Sequence, residues 1–332
     1  MNRPLASVVV CCYNRGDRVS SCLESLVEST YPELELVLVD DGSTDDTAGV
    51  LERFRAAHTD TPVTIVSTEA NLGVSAARNA GVDAACGELV FFTDSDCEVE
   101  PDWLERLVKA FGSGEVDAVA GRVLNPTAKN LAEMACFGRS GVRGRRLVGG
   151  NMGFRREVLL RYRFDEALRY GCDEDELAWR MSVQGCRFQY VPEACVLHRH
   201  PVDLRGYLDL AVRQGRGAAA YWYKRGLFVG RDVVCAVLAL GSLPLVLAGG
   251  WWMIVPGGFA GLQAAALLWN QAVLQGKGWR RAILVFPVEC LYSLAKTGAV
   301  LASLGEILIG RHRAVRDSKK RWLAGRKGSR WS

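Results

Sequence analysis

Familiar phosphate-binding and stapling devices are missing from this chain of 332 residues. Neither Gly-x-Gly-x-x-Gly nor Gly-x-x-x-x-Gly-Lys follows the first strand-like segment, which excludes the dinucleotide and P-loop cradles. Eleven cysteines, an odd number, lie scattered without a Cys-x-x-Cys spacing, so neither a disulfide framework nor a structural zinc site is indicated. A reduced cytosol is the expected setting. The N-terminus, Met1-Asn2-Arg3-Pro4-Leu5, lacks the apolar core and small-residue cleavage site of a secretory signal, and the front of the chain is expected to stay inside the cell.

Basic charge is scarce at the front. Residues 1–230 hold 27 Lys/Arg against 33 Asp/Glu and residues 231–332 hold 14 against 4, so a net +4 hides an acidic front and a basic back. This balance argues against nucleic acid as a partner and for a membrane surface. Charge vanishes over the 23 residues Val233–Val255 and the 19 residues Gly257–Gln275, each long enough to cross hydrocarbon. Lys224, Arg225 and Arg231 before them, with Lys277, Arg280 and Arg281 after them, predict a hairpin with both ends cytoplasmic. Glu289, Lys296 and Glu306 interrupt Ala282–Ile309, which is expected to be an interfacial or re-entrant helix. The basic tail beyond it would lie on anionic headgroups. The expected division is a domain over 1–230, membrane helices over 231–310 and a basic cytoplasmic tail over 311–332, placed at the cell membrane with the front domain cytoplasmic.

The front domain reads as alternating strands and helices. Leu5–Cys11, Leu34–Val39, Val63–Ser67, a run from Glu88 ending at Asp94, and Asp117–Gly121 are apolar runs of strand length. Helical spacing fills Asp17–Thr30, the stretch from the capping pair Ser43 and Asp46 to Ala57, and Gly73–Cys86 stopped by Gly87. Pro101 is placed as the first residue of a further helix carrying Leu104, Leu107, Val108 and Phe111. Such alternation predicts an α/β fold built of right-handed βαβ units around a mainly parallel sheet.

Ligands bind such sheets at the carboxyl ends of the strands, and there the strand Phe91-Phe92-Thr93 runs into Asp94-Ser95-Asp96-Cys97. An Asp-x-Asp pair offers hard oxygen ligands suited to Mg2+ or Mn2+, which reach proteins through a carboxylate or two together with substrate phosphates. Three more segments fall at strand-to-helix junctions in order: Ser7-Val8-Val9-Val10-Cys11-Cys12-Tyr13-Asn14-Arg15, Val39-Asp40-Asp41-Gly42-Ser43 and Asn71-Leu72-Gly73-Val74-Ser75-Ala76-Ala77-Arg78-Asn79-Ala80-Gly81. Together the four motifs closely resemble the family 2 glycosyltransferases of the GT-A (Rossmann-like) fold, over about residues 5–200.

The resemblance implies a membrane-attached, metal-dependent inverting glycosyltransferase. It would move a sugar from a UDP- or GDP-linked donor to an acceptor hydroxyl on a carbohydrate or lipid-linked glycan. Cys12, Tyr13 and Asn14 would border the nucleotide base, Asp41 would accept from a ring N–H, and Arg78 would contact base or pyrophosphate. Asp94 would touch the ribose or the hydration shell of the ion, and Asp96 would ligate it, with His198 closing over metal or diphosphate. Gly150 and Asn151, within Val148-Gly149-Gly150-Asn151-Met152, would face the acceptor. The family's general base is an Asp. Alignment through Leu177 and Arg180 puts Glu174 there instead, so the base is Glu174 with one more methylene of reach, or Asp175 after a local shift. The Gln-x-x-Arg-Trp form of processive synthases is absent, which argues against long-polymer synthesis.

Two rival readings stand beside this one. A nucleotidyltransferase also uses acidic metal ligands on an α/β sheet, but brings a Gly-rich basic loop after its first strand that this chain lacks. A membrane scaffold with an inactive glycosyltransferase-like domain would account for Glu174 in place of Asp.

Overall fold

The computed structural model describes residues 3–140, 147–199, 202–226 and 279–328, which divide into two compact units. The first comprises residues 1–127 and 143–200, and the second residues 128–142 and 201–332.

In the first unit, β1 (Ala6–Cys12), β2 (Leu34–Asp40), β3 (Val63–Ser67) and β4 (Leu89–Asp94) form parallel pairs. Between and beyond them lie α1 (Val19–Val27), α2 (Thr47–Ala57), α3 (Val74–Ala84), β5 (Cys97–Val99) and α4 (Trp103–Ala110). Period-two alternation splits each strand between two cores. Val8 and Val10 join Leu36, Leu38 and Phe91 beneath α1, α2 and α4, while Val9 joins Val37, Val39, Val90 and Phe92 on the α3 side. Strands buried on both faces are apolar throughout, which is why these runs are legible in the sequence.

The later half mixes parallel and antiparallel pairs. β6 (Ala118–Leu124), β7 (Met152–Arg155) and β8 (Phe188–His198) complete the order β3-β2-β1-β4-β7-β6-β8-β5. β7 is antiparallel to both β4 and β6, and β5 is antiparallel to β8, so the sheet is mixed. The reason is where β7 begins. Gly150 packs against the Asp94 carboxylate at the outgoing end of β4, so a strand starting there must run back along it. Its far end passes directly into α6 (Arg156–Tyr162), anchored by the Arg156 amide donating to the Glu88 carbonyl at 2.9 Å. α7 (Asp173–Val183) follows and buries Leu177 and Met181 in the α3-side core. Pro101 precedes α4 by a turn instead of starting it, and Ser43 accepts from the Asn14 amide instead of capping α2.

The second unit holds α5 (Leu131–Ser140), α8 (Leu204–Arg225), α9 (Trp279–Leu308) and α10 (Arg313–Gly328). α8 groups with the later helices, not with the sheet. A buried polar seam joins α8 and α9. The Tyr207 hydroxyl donates to Glu289 at 3.0 Å, Tyr292 donates to Gln214, and the Tyr207 and Tyr292 rings lie 4.6 Å apart. Ile283–Leu308 is long and apolar enough to cross a membrane. The expected hairpin over 233–275 lies outside the described residues.

Candidate active site

The carboxyl ends of β1, β2 and β4 share one edge, because register pairs Cys12 with Asp40 and Cys11 with Asp94. After β1 the chain turns through Asn14, whose φ of 52° is left-handed, a conformation Asn tolerates. Its side-chain oxygen accepts from the Thr44 amide at 2.8 Å, leaving Tyr13 exposed at the rim. Cys12 turns inward and is buried in the core, so its backbone, not its thiol, borders the edge. Asp41 acquires a role that sequence did not assign. Only 4% exposed, it accepts from the amides of Leu72 at 2.8 Å and Gly73 at 2.9 Å and so shapes the loop entering α3.

At the end of β4, antiparallel pairing sets Cys97 opposite His198 and brings the β8 end beside the Asp-x-Asp loop. The Arg199 amide donates to the Asp96 carbonyl at 2.8 Å, and His198 Nε2 lies 2.9 Å from Asp96 Oδ1. Burial opposes a charge on His198, but the hydrogen bond to Asp96 and the charges of Asp96 and Asp94 outweigh it and raise its pKa. Asp94 is pushed up by desolvation against the pull of Arg78. One donor atom each from Asp94, Asp96, Cys97 and His198 lies within 4.8 Å of every other, so these residues fit a divalent cation. Gly150 closes this cluster from behind, since a Cβ there would come 2.7 Å from Asp94 Oδ2.

Arg78 stands at the centre, 5% exposed. Its guanidinium pairs with Asp173, reaches Asp94 at 3.7 Å, and lies over the Phe164 and Phe92 rings at 5.5 and 6.0 Å. Burial disfavours its charge, but Asp173 and Asp94 more than restore it and raise its pKa. Arg78 thus has an internal partner at the edge where a donor contact is expected. Asp173, which sequence reasoning left without a role, is that partner and is 1% exposed.

The positive φ of Gly171 and Cys172 turns the chain into α7 and aims its first turn at Arg78. Of the carboxylates there, Asp173 is held by Arg78, and Glu176, fully buried, is held by Arg180 Nε at 2.8 Å. Glu174 and Asp175 are partly exposed between them. Burial first, then the charge of Asp173, drives the Glu174 pKa well above the usual carboxylate range, with Arg78 opposing. The surroundings of Glu174 thus favour its protonated form more than water would.

Asn151 does not present its side chain to an acceptor. It is fully buried, accepts from Trp103 Nε1 at 3.0 Å, and donates to the carbonyls of Arg122 and Ala194 at 2.9 Å each. It ties α4, β6 and β8 to the loop, and Gly150 is the member of the expected pair that borders Asp94 and Cys97. Cys97 also escaped the sequence reading. The available signal was its position directly after Asp96, but only the pairing of β5 with β8 points it at His198.

An α/β sheet carrying this acidic, histidine-flanked cluster at its carboxyl edge defines a GT-A-type glycosyltransferase fold. Residues 7–162 match the profile of glycosyl transferase family 2, and the chain carries a family 2 glycosyltransferase domain. Glycosyltransferase AglE of Haloferax volcanii is 34% identical over 122 residues, 36% of this chain and 40% of that protein. Glucosyl-dolichyl phosphate glucuronosyltransferase of the same organism is 31% identical over 170 residues, 46% of this chain and 53% of that protein. The chain thus spans about half or less of these relatives' lengths. A mannosyltransferase from Pyrobaculum calidifontis, solved with GDP-Man and Mn2+, shares the fold at a TM-score of 0.59 and 23% identity, covering 93% of this chain and 88% of that one.

Proposed function

We propose that this protein transfers a sugar from a nucleoside-diphosphate donor to an acceptor hydroxyl with inversion at the anomeric carbon. The observation that carries the reading is the span of Arg78: one guanidinium touches Asp94 of the ion-binding cluster and Asp173 beside the candidate base. Donor and acceptor machinery therefore lie within a side chain's width. Asp94, Asp96 and His198 would hold Mg2+ or Mn2+. When bound, such an ion supplies positive charge against the departing nucleoside diphosphate.

Glu174, or Asp175 one residue on, takes the proton from the acceptor hydroxyl. That oxygen then bonds to the anomeric carbon as the carbon–oxygen bond to the diphosphate breaks on the opposite face. A single in-line displacement inverts the centre. Gly150 allows close approach at the edge where Asp94 lies.

The polarity of α9 supports membrane attachment. Glu289 and Tyr292 are buried toward α8, whereas Ile283, Leu284, Leu291, Leu294, Leu301 and Leu308 are exposed. Apolar side chains outward and bonded polar groups inward suit a helix in lipid. The exposed basic side chains of α10, Arg313, Lys320 and Arg321, suit anionic headgroups on the cytoplasmic side. A lipid-linked acceptor agrees with that location, and one relative is named for a dolichyl phosphate substrate.

Calorimetry of UDP and GDP with and without Mn2+ is the test. Asp96→Asn is expected to abolish the metal-dependent part of nucleotide binding, and binding unchanged by that substitution would overturn the assignment. Release of free nucleoside diphosphate, and not pyrophosphate, separates sugar transfer from nucleotidyl transfer.

A further inference from the structure

The donor set at the end of β4 is not the all-oxygen shell that Mg2+ prefers. Cys97 is fully buried, and its Sγ is among the atoms lying within 4.8 Å of one another with Asp94, Asp96 and His198. Its direction is fixed by pairing. Cys97 and His198 face each other across the β5–β8 ladder, and residues directly opposite in an antiparallel pair project to the same side. The cradle behind is shared as well: a Cβ at Gly150 would come 3.3 Å from Cys97 Sγ and 2.7 Å from Asp94 Oδ2, so thiol and carboxylate border one space.

Sulfur, imidazole nitrogen and carboxylate oxygen together form a borderline-soft shell. Thiolates select thiophilic ions, imidazole suits Zn2+, and carboxylates alone suit Mg2+ and Mn2+. A tetrahedral Zn2+ shell with sulfur at ~2.3 Å and nitrogen or oxygen at ~2.0–2.2 Å spaces its donors about 3.5 Å apart, a modest contraction of this cluster. We propose that Cys97 is a ligand at this site, so that the protein binds a thiophilic divalent cation of the Zn2+ and Cd2+ class through sulfur, in competition with Mn2+ or Mg2+. The thiol proton passes to solvent as the thiolate enters the shell. This inference rests on the proposed ion site and adds its selectivity: exposure to Zn2+ or Cd2+ displaces the oxygen-preferring ion.

The experiment titrates the full-length, metal-stripped protein in detergent with Cd2+ alone and with Mn2+ alone. Wild type is compared with Cys97→Ser, Cys97→Ala and Asp96→Asn, each verified as folded by circular dichroism. The readouts are the ultraviolet thiolate-to-Cd2+ charge-transfer band and the affinities of both ions. Cys97→Ser and Cys97→Ala are expected to lose the band increment and to weaken Cd2+ by at least the tenfold that loss of an outer-shell partner already costs. Mn2+ affinity should fall by less than Cd2+ affinity, since oxygen-preferring ions draw less on sulfur. A wild-type band and Cd2+ affinity in either cysteine variant overturns the sulfur assignment while leaving the ion site standing. Undiminished binding of both ions by Asp96→Asn overturns the ion site itself.

Discussion

Arg78→Met removes the guanidinium that neutralises Asp173 and reaches Asp94 at 3.7 Å. Arg78 is 5% exposed and Asp173 1%, so water cannot enter to replace the lost charge. Deleting one partner of a buried pair costs about 3–5 kcal/mol. Loss of the cation above Phe164 and Phe92, a desolvated contact, adds about 2 kcal/mol. Against a total stability of about 5–15 kcal/mol this is a third or more. Urea unfolding of the detergent-solubilised full chain, read by pulse proteolysis, measures this. The double variant Arg78→Met/Asp173→Asn should recover at least about 1 kcal/mol relative to the summed single effects, as expected for residues in contact. A loss below about 1 kcal/mol in Arg78→Met, or additivity within about 0.5 kcal/mol, refutes the reasoning.

Other expectations follow from the same geometry. Glu174→Gln should lower turnover by about 10²–10⁴-fold with donor binding retained, Asp175→Asn much less, and equal small losses would place the base elsewhere. In wild type, kcat/KM should rise with pH through an ionisation above the ordinary carboxylate range, because burial and Asp173 favour neutral Glu174. By the same linkage, stability from Glu174 is full below its unfolded pKa and lost as pH rises through the folded one, so Glu174→Gln should raise Tm at neutral pH. Asn151→Ala orphans Trp103 Nε1 and two carbonyls, and at about 1–3 kcal/mol each should cost at least about 3 kcal/mol in chemical denaturation. Gly150→Ala drives a methyl against Asp94 Oδ2, so calorimetry should show weakened Mn2+-dependent nucleotide binding in a folded protein.

What the sequence determined by itself is the frame: β1 to β4, α1 to α3, and the polar motifs at the carboxyl ends of those strands. These are local consequences of apolar periodicity, since a strand buried on both faces is apolar throughout and a helix packed on it repeats every three or four residues. Asp94 and Asp96 were legible for the same reason, at a junction that periodicity marks, whereas Glu174 and Asp175 were reached through the resemblance to the family's motif.

Tertiary structure decided which of those groups meet. Arg78 and Asp173 stand 95 residues apart in sequence, and their pairing depends on α3 and α7 packing on one face of the sheet. Cys97 and His198 meet through the β5–β8 register, and β7 runs antiparallel because it starts beside the end of β4. Neighbouring residues reveal propensity and period, whereas a side chain's partner is set by burial of apolar surface across the whole sheet. That is why Asn151 and Asp41, both polar and both near the carboxyl edge of the sheet, make their hydrogen bonds to the scaffold.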